Sequence, residues 1–149
     1  MLYLGADHRG YKLKEELKIF LQRENIAFED LGNKKYDKDD DYPDWAQKVA
    51  EKVSSSPEED RGILICGTGI GMVITANKFS HVRAGICSSS EIAQRAKEED
   101  DINILCLGAD SINTATAQQI VERWWQTSFL QEERYQRRIN KIKEIEKNQ

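Results

Sequence analysis

The sequence predicts an α/β fold in which five parallel strands form one doubly wound sheet, with an extra helix at the C-terminal end. Three observations predict it. Short apolar runs recur along the chain at Leu2–Leu4, Ile26–Leu31, Gly62–Cys66, Val82–Cys87 and Ile104–Leu107. Stretches with apolar residues at helical spacing separate these runs. The third run, Gly62-Ile63-Leu64-Ile65-Cys66, passes straight into Gly67-Thr68-Gly69-Ile70-Gly71, the pattern of a buried strand feeding a helix. Strands alternating with helices specify a parallel sheet covered on both faces through right-handed crossovers. The result is a three-layer, Rossmann-like arrangement.

Each element has its own signal. The opening strand stops at Gly5-Ala6-Asp7-His8-Arg9-Gly10. Leu13, Leu17, Phe20 and Leu21 then fall at i, i+4, i+7 and i+8, one apolar stripe on a helix from about Gly10 to Arg23. The second strand, Ile26–Leu31, closes at Gly32. Asn33 to Asp41 is polar and acidic and reads as a solvated loop. Tyr42-Pro43 starts a helix with proline in its first turn; Trp45, Val49 and Val53 give it an apolar edge, and Ser54–Pro57 ends it. Met72 to Asn77 reads as the helix behind the glycine loop. Ser88-Ser89-Ser90 offers N-caps for a helix running to Glu99. Thr114 to Trp125 is helical with Ala117, Val121 and Trp124 inward. The tail from Glu132 to Lys147 is helical too, with Tyr135, Ile139, Ile142 and Ile145 on one side. That last apolar side follows a completed sheet and needs a surface, for which a second copy of the chain is the natural supplier. A homodimer is expected.

The bulk numbers narrow the function. The 149 residues, 39% hydrophobic and 32% charged, suit one domain spanning 1–149 with a proper core. A net charge of −4 without a long basic block speaks against nucleic acid or a membrane surface as partner. Met1–Gly5 is too short for a signal peptide and no apolar run approaches a membrane span, so a cytoplasmic location is expected. Three cysteines without short metal-type spacing fit a reducing compartment. With only two histidines, His8 and His81, a histidine metal site is not expected.

In a doubly wound sheet the ligand crevice lies beyond the carboxyl ends of the strands. That rule brings Asp7-His8, the Cys66–Gly71 loop, Ser88 and Gly108-Ala109-Asp110 to one edge. Glycines there allow a tight turn and remove Cβ atoms that would keep a ligand from the amides; those N–H groups make a cradle for negative charge. The nucleotide readings fail, because the dinucleotide pattern wants G-x-G-x-x-G after the first strand and no Gly-Lys-Ser/Thr exists. Cys66 has two readings, a small buried hydrophobe or a thiolate stabilised by the adjacent amides. For Cys87 and Cys106 the buried-hydrophobe reading stands. Arg134 and Arg138, at i and i+4, are either a solvated helix face or a pair that closes on one anion. His81 reads as an exposed loop residue.

The combination of Gly5-Ala6-Asp7-His8-Arg9-Gly10, Asp41-Tyr42-Pro43-Asp44, Ile65-Cys66-Gly67-Thr68-Gly69-Ile70-Gly71 and Ala76-Asn77-Lys78 closely resembles the type B ribose-5-phosphate isomerases, grouped with the galactose-6-phosphate isomerase subunits. The likeness runs nearly end to end, through Arg83-Ala84, Ala93-Gln94, Asn103-Ile104-Leu105 and Arg134 with Arg138. It implies a dimeric domain, with a tetramer left open, that interconverts an aldose phosphate and a ketose phosphate through an enediolate, without metal or cofactor. Cys66 matches the family's general base, and the amides of Gly67, Gly69, Ile70 and Gly71 would hold the enediolate oxygen. Thr68 would act on sugar hydroxyls, and Asp7, His8 and Tyr42 match residues lining the pocket, His8 near the phosphate. Arg134 and Arg138 match phosphate-binding arginines contributed across the dimer.

The chain departs from the family pattern in two places. A His-Asn pair usual in the family, whose histidine opens the furanose ring, reads Glu99-Asp100 here, and an arginine used for phosphate reads Asp110. Either Glu99 takes over as the ring-opening acid/base, or ring opening falls to solvent and Asp7. The resulting expectation is conversion of ribose 5-phosphate to ribulose 5-phosphate. The alternatives are another aldose, whether a hexose phosphate or an unphosphorylated sugar, or a catalytically weak sugar-phosphate-binding protein.

Overall fold

The computed structural model describes residues 1–148. Five strands, β1 (Leu2–Ala6), β2 (Phe28–Asp30), β3 (Arg61–Cys66), β4 (Ala84–Ile86) and β5 (Ile104–Gly108), alternate with α1 (Tyr11–Arg23), α2 (Tyr42–Ser55), α3 (Ile70–Ala76) and α4 (Ser90–Asp100). Two more helices, α5 (Thr114–Gln126) and α6 (Glu133–Lys147), follow. All strand pairs are parallel and the order is β2-β1-β3-β5-β4. The expected doubly wound sheet is present.

Period-two alternation along the central strands sorts the core into two layers. Leu2, Leu4, Ile63, Ile65, Leu105 and Leu107 meet the stripe of α1, Ala93 of α4, and Ala117, Ile120, Val121 and Trp124 of α5. Tyr3, Leu64, Cys66, Ile104 and Cys106 face the opposite layer, where α2 contributes Ala46, Val49, Ala50 and Val53 and α3 contributes Met72 and Ala76. Each fully buried aliphatic side chain contributes about 1.5–3 kcal/mol of transfer free energy. The edge strand β2 is also tied to α1 by charge. Lys14, fully buried, and Lys18 both reach Asp30 Oδ2, at 2.6 and 2.8 Å.

Several boundaries differ from expectation for local reasons. Ile26 lies outside β2 because its N–H closes a turn onto Leu21 O. Helix α3 begins at Ile70 rather than Met72, since Gly69 already turns the chain with φ of 80°. Ser89 is the residue that caps α4, its side chain accepting from the Ile92 N–H. On α6, Tyr135 and Ile139 are buried, while Ile142 and Ile145 stay exposed. No helix among the described residues is long and apolar enough to cross a membrane.

Candidate active site

The carboxyl ends of β1, β3 and β5 meet at one edge and carry most of the expected site residues. Strand β3 ends at Cys66, nearly buried at 4% exposure. Its Sγ accepts the Gly69 N–H at 3.1 Å, an interaction a thiolate makes more strongly than a thiol. The positive φ of Gly69 aims that amide back at the sulfur. Thr68 is exposed, and its Oγ1 accepts the Ile70 N–H. The N–H groups of Gly67 and Thr68 donate to no protein acceptor among the described residues. The loops after β3 and β5 are locked together, because Ala109 and Asp110 donate to Cys66 O and Gly67 O, both at 2.9 Å. Beside Gly71 stands the Tyr42 ring, so close that a Cβ there would lie 2.6 Å from it.

After β1, Asp7 is buried and its Oδ1 accepts the N–H groups of Arg9 and Gly10. Burial raises its pKa above the ordinary carboxyl value, against the lowering pull of those amides and of His8. His8 is half-buried. Its backbone N–H and its Nδ1 both meet Asp40 Oδ1, at 2.8 Å each. The hydrogen bond to Asp40 raises the His8 pKa, ahead of burial, which lowers it.

Two residues that sequence reasoning missed complete this edge. Asp40 is not a solvated loop residue: beyond His8 it accepts Asn33 Nδ2 and Trp45 Nε1, both at 2.9 Å. Within the acidic run 37–41 its only distinguishing signal is position, just ahead of the helix that carries Trp45. Arg9 lies over Gly67, where a Cβ would sit 2.5 Å from the guanidinium carbon, and it forms an ion pair with Asp110. The carboxylate of Asp110 is therefore neutralised by a neighbour rather than facing a bound anion alone. Cys87 and Cys106 are the inert thiols expected; burial pushes Cys87 up to about 12 and raises Cys106 as well.

Glu99, Asp100, Arg134 and Arg138 fall elsewhere. Helix α4 runs antiparallel to the strands and delivers the chain to the start of β5, so its last turn lies at the amino edge. Within one protomer the two groups are separated by the length of β5, about 16 Å at 3.3 Å per residue. Glu99 pairs with Arg95 at 3.1 Å. Asp100 has a raised pKa from burial and from Glu99, with Arg138 acting against them. Leu130 N–H bonds Glu98 O, which seats the approach to α6 on α4. Arg134 and Arg138 lie over the Tyr135 ring, 4.7 and 6.0 Å from its centre.

A family model described as Ribose/Galactose Isomerase matches residues 2–142. The chain belongs to the ribose/galactose isomerase family. Among similar proteins, the probable ribose-5-phosphate isomerase B of Mycoplasma genitalium is 38% identical over 98% of the chain and 95% of the relative. Ribose-5-phosphate isomerase B of Escherichia coli is 37% identical over 95% and 93%. The structure of the Mycoplasma genitalium enzyme with bound ribulose-5-phosphate superposes with a TM-score of 0.96 at 37% identity, covering 99% of this chain and 97% of that one. That of the Clostridium thermocellum isomerase B gives 0.93 at 41% identity over the same shares.

Proposed function

We propose that the chain interconverts ribose 5-phosphate and ribulose 5-phosphate, with Cys66 as the base. The observation that carries this reading is the Cys66 sulfur at the tip of β3, hydrogen-bonded to Gly69 N–H and flanked by the free amides of Gly67 and Thr68. In the aldose-to-ketose direction Sγ takes the proton from C2, and the C–H electron pair becomes the C1=C2 double bond. The carbonyl electrons move onto O1, where peptide N–H groups of the Gly67–Gly71 loop neutralise the enediolate; fixed donors of this kind supply several kcal/mol. The proton returns to C1, and the O2 hydroxyl proton passes to O1, leaving a ketone at C2. Thr68 orients the sugar hydroxyls, Tyr42 closes the side of the cradle, and Asp7 and His8 line it.

Glu99, Asp100, Arg134 and Arg138 reach this edge only from a second copy of the chain, which supports a homodimeric enzyme. The two arginines then bind the phosphate, and Glu99 serves ring opening. Replacing Cys66 with Ala is expected to cut turnover of ribose 5-phosphate roughly a thousandfold, within the range a positioned base contributes. Exchange of the C1/C2 hydrogens with deuterated water should fall in parallel. A folded variant that isomerises at the parental rate would overturn the assignment.

A further inference from the structure

Asp40 concentrates four donors on one carboxylate. Oδ1 takes the His8 backbone N–H and Nδ1 at 2.8 Å each, and Oδ2 takes Asn33 Nδ2 and Trp45 Nε1 at 2.9 Å. These donors come from the end of β1, the loop after β2 and the first turns of α2. The Asp40 side chain is 6% exposed, against 29% for His8. A carboxylate this sheltered demands compensation, and Asn33 and Trp45 supply dipoles but no charge. The imidazole is the group beside it able to carry a cation. With Nδ1 engaged, Nε2 is the nitrogen left for a ligand, and it meets no protein partner among the described residues.

We propose that Asp40 is a positioning residue for the isomerase: it fixes the His8 ring and holds it as imidazolium, so that Nε2–H donates to the anionic end of the sugar substrate. This deepens the function proposed above and rests on it. The charged groups facing His8 are Asp40 and Asp7, which favour the cation, and Arg9, which opposes it. Arg9 is largely occupied by Asp110, so it competes little for Asp40. The consequence is a substrate-binding charge that persists above the ordinary histidine value of 6.5.

The chain's only other histidine, His81, makes a clean test available. It occupies a left-handed turn, φ 66°, which asparagine tolerates. In a His81→Asn background, an NMR titration reports the His8 imidazole alone. His8 is expected to titrate above the ordinary value, and Asp40→Asn to bring it back toward that value. At about pH 8, Asp40→Asn should raise KM for ribose 5-phosphate several-fold, because a smaller fraction of the His8 rings then carries a charge, with kcat within about twofold. At about pH 6, where both imidazoles are charged, the difference should shrink. Because Asp40 is nearly buried, His8→Gln provides a second variant that leaves the carboxylate in place; it should show the same KM increase at about pH 8. An unmoved titration overturns the proposal. So does a moved titration with unchanged KM, or a KM change of equal size at both pH values. If the parent protein turns over no sugar phosphate, the proposed reaction fails instead. Inorganic phosphate then serves as the probe: binding weakened by Asp40→Asn at about pH 8 supports the role of Asp40, and unaltered binding overturns it.

Discussion

Asp7 holds a charge that burial disfavours. Its pKa is raised above the usual carboxyl value by burial, so the folded protein binds a proton there more tightly than the unfolded chain does. The destabilisation is present above the raised folded pKa and relieved as pH falls through it. Asp7→Asn keeps an acceptor for the Arg9 and Gly10 amides and removes the charge. A higher melting temperature at neutral pH is expected, of order a few degrees, with the gain vanishing in acid and activity falling about tenfold or more. Thermal melts at several pH values together with steady-state rates check this. His8 works in the opposite sense. Its raised pKa adds stability that is full below the unfolded value and is lost as pH rises through the folded one. That Cys66, Asp7 and His8 share one edge was legible in the sequence, because glycine-rich strand ends announce themselves. Asp40 and Arg9 were not. Nothing in an acidic run tells which carboxylate folds inward, and only the packing of Trp45 and Asn33 selects Asp40.

At the level of elements, the junctions between strands and helices carry the candidate site, and their glycines are not equivalent. A Cβ on Gly10 would lie 2.3 Å from the carbonyl oxygen of Ile65, part of a central strand that cannot move. A Cβ on Gly67 would instead meet the end of the Arg9 side chain, which can swing aside. Gly10→Ala should therefore cost stability, about 2–4 kcal/mol by denaturant unfolding. Gly67→Ala should leave the midpoint nearly unchanged, yet break the Arg9–Asp110 pair and raise KM several-fold. Equal stability losses in the two variants would contradict the distinction. Element type was readable throughout, since apolar period separates strand from helix. Element ends were less so. Where Ile26 turns back onto Leu21 and Gly69 opens α3 early, backbone hydrogen bonding overrides the side-chain pattern.

For the whole molecule, the doubly wound order decides which predicted residues share a protomer. The three-layer sheet was readable from the alternation of elements. For Arg138 the family resemblance already implied a contribution from across a dimer, whereas the separation of Glu99 from Cys66 was visible only once α4 was seen to end at the amino edge. If a second copy completes each site, two dead variants should rescue one another. A Cys66→Ala chain co-expressed with a chain carrying Glu99→Gln and Arg138→Ala should recover about a quarter of parental activity. Random pairing makes half of the dimers mixed, each with one intact site. Recovery no greater than the sum of the separate variants would mean that each chain works alone.

The strand order also has a consequence for synthesis. β3 lies in the middle of the sheet, yet its second neighbour is β5, the last strand to leave the ribosome. Until residue 108 has emerged, the strand ending in Cys66 presents an unpaired backbone edge to whatever is nearby, the kind of edge on which chains associate wrongly. The Cys66 thiol thus sits on the seam that closes last, so a stalled or clipped chain exposes an unpaired central strand before it can have any activity.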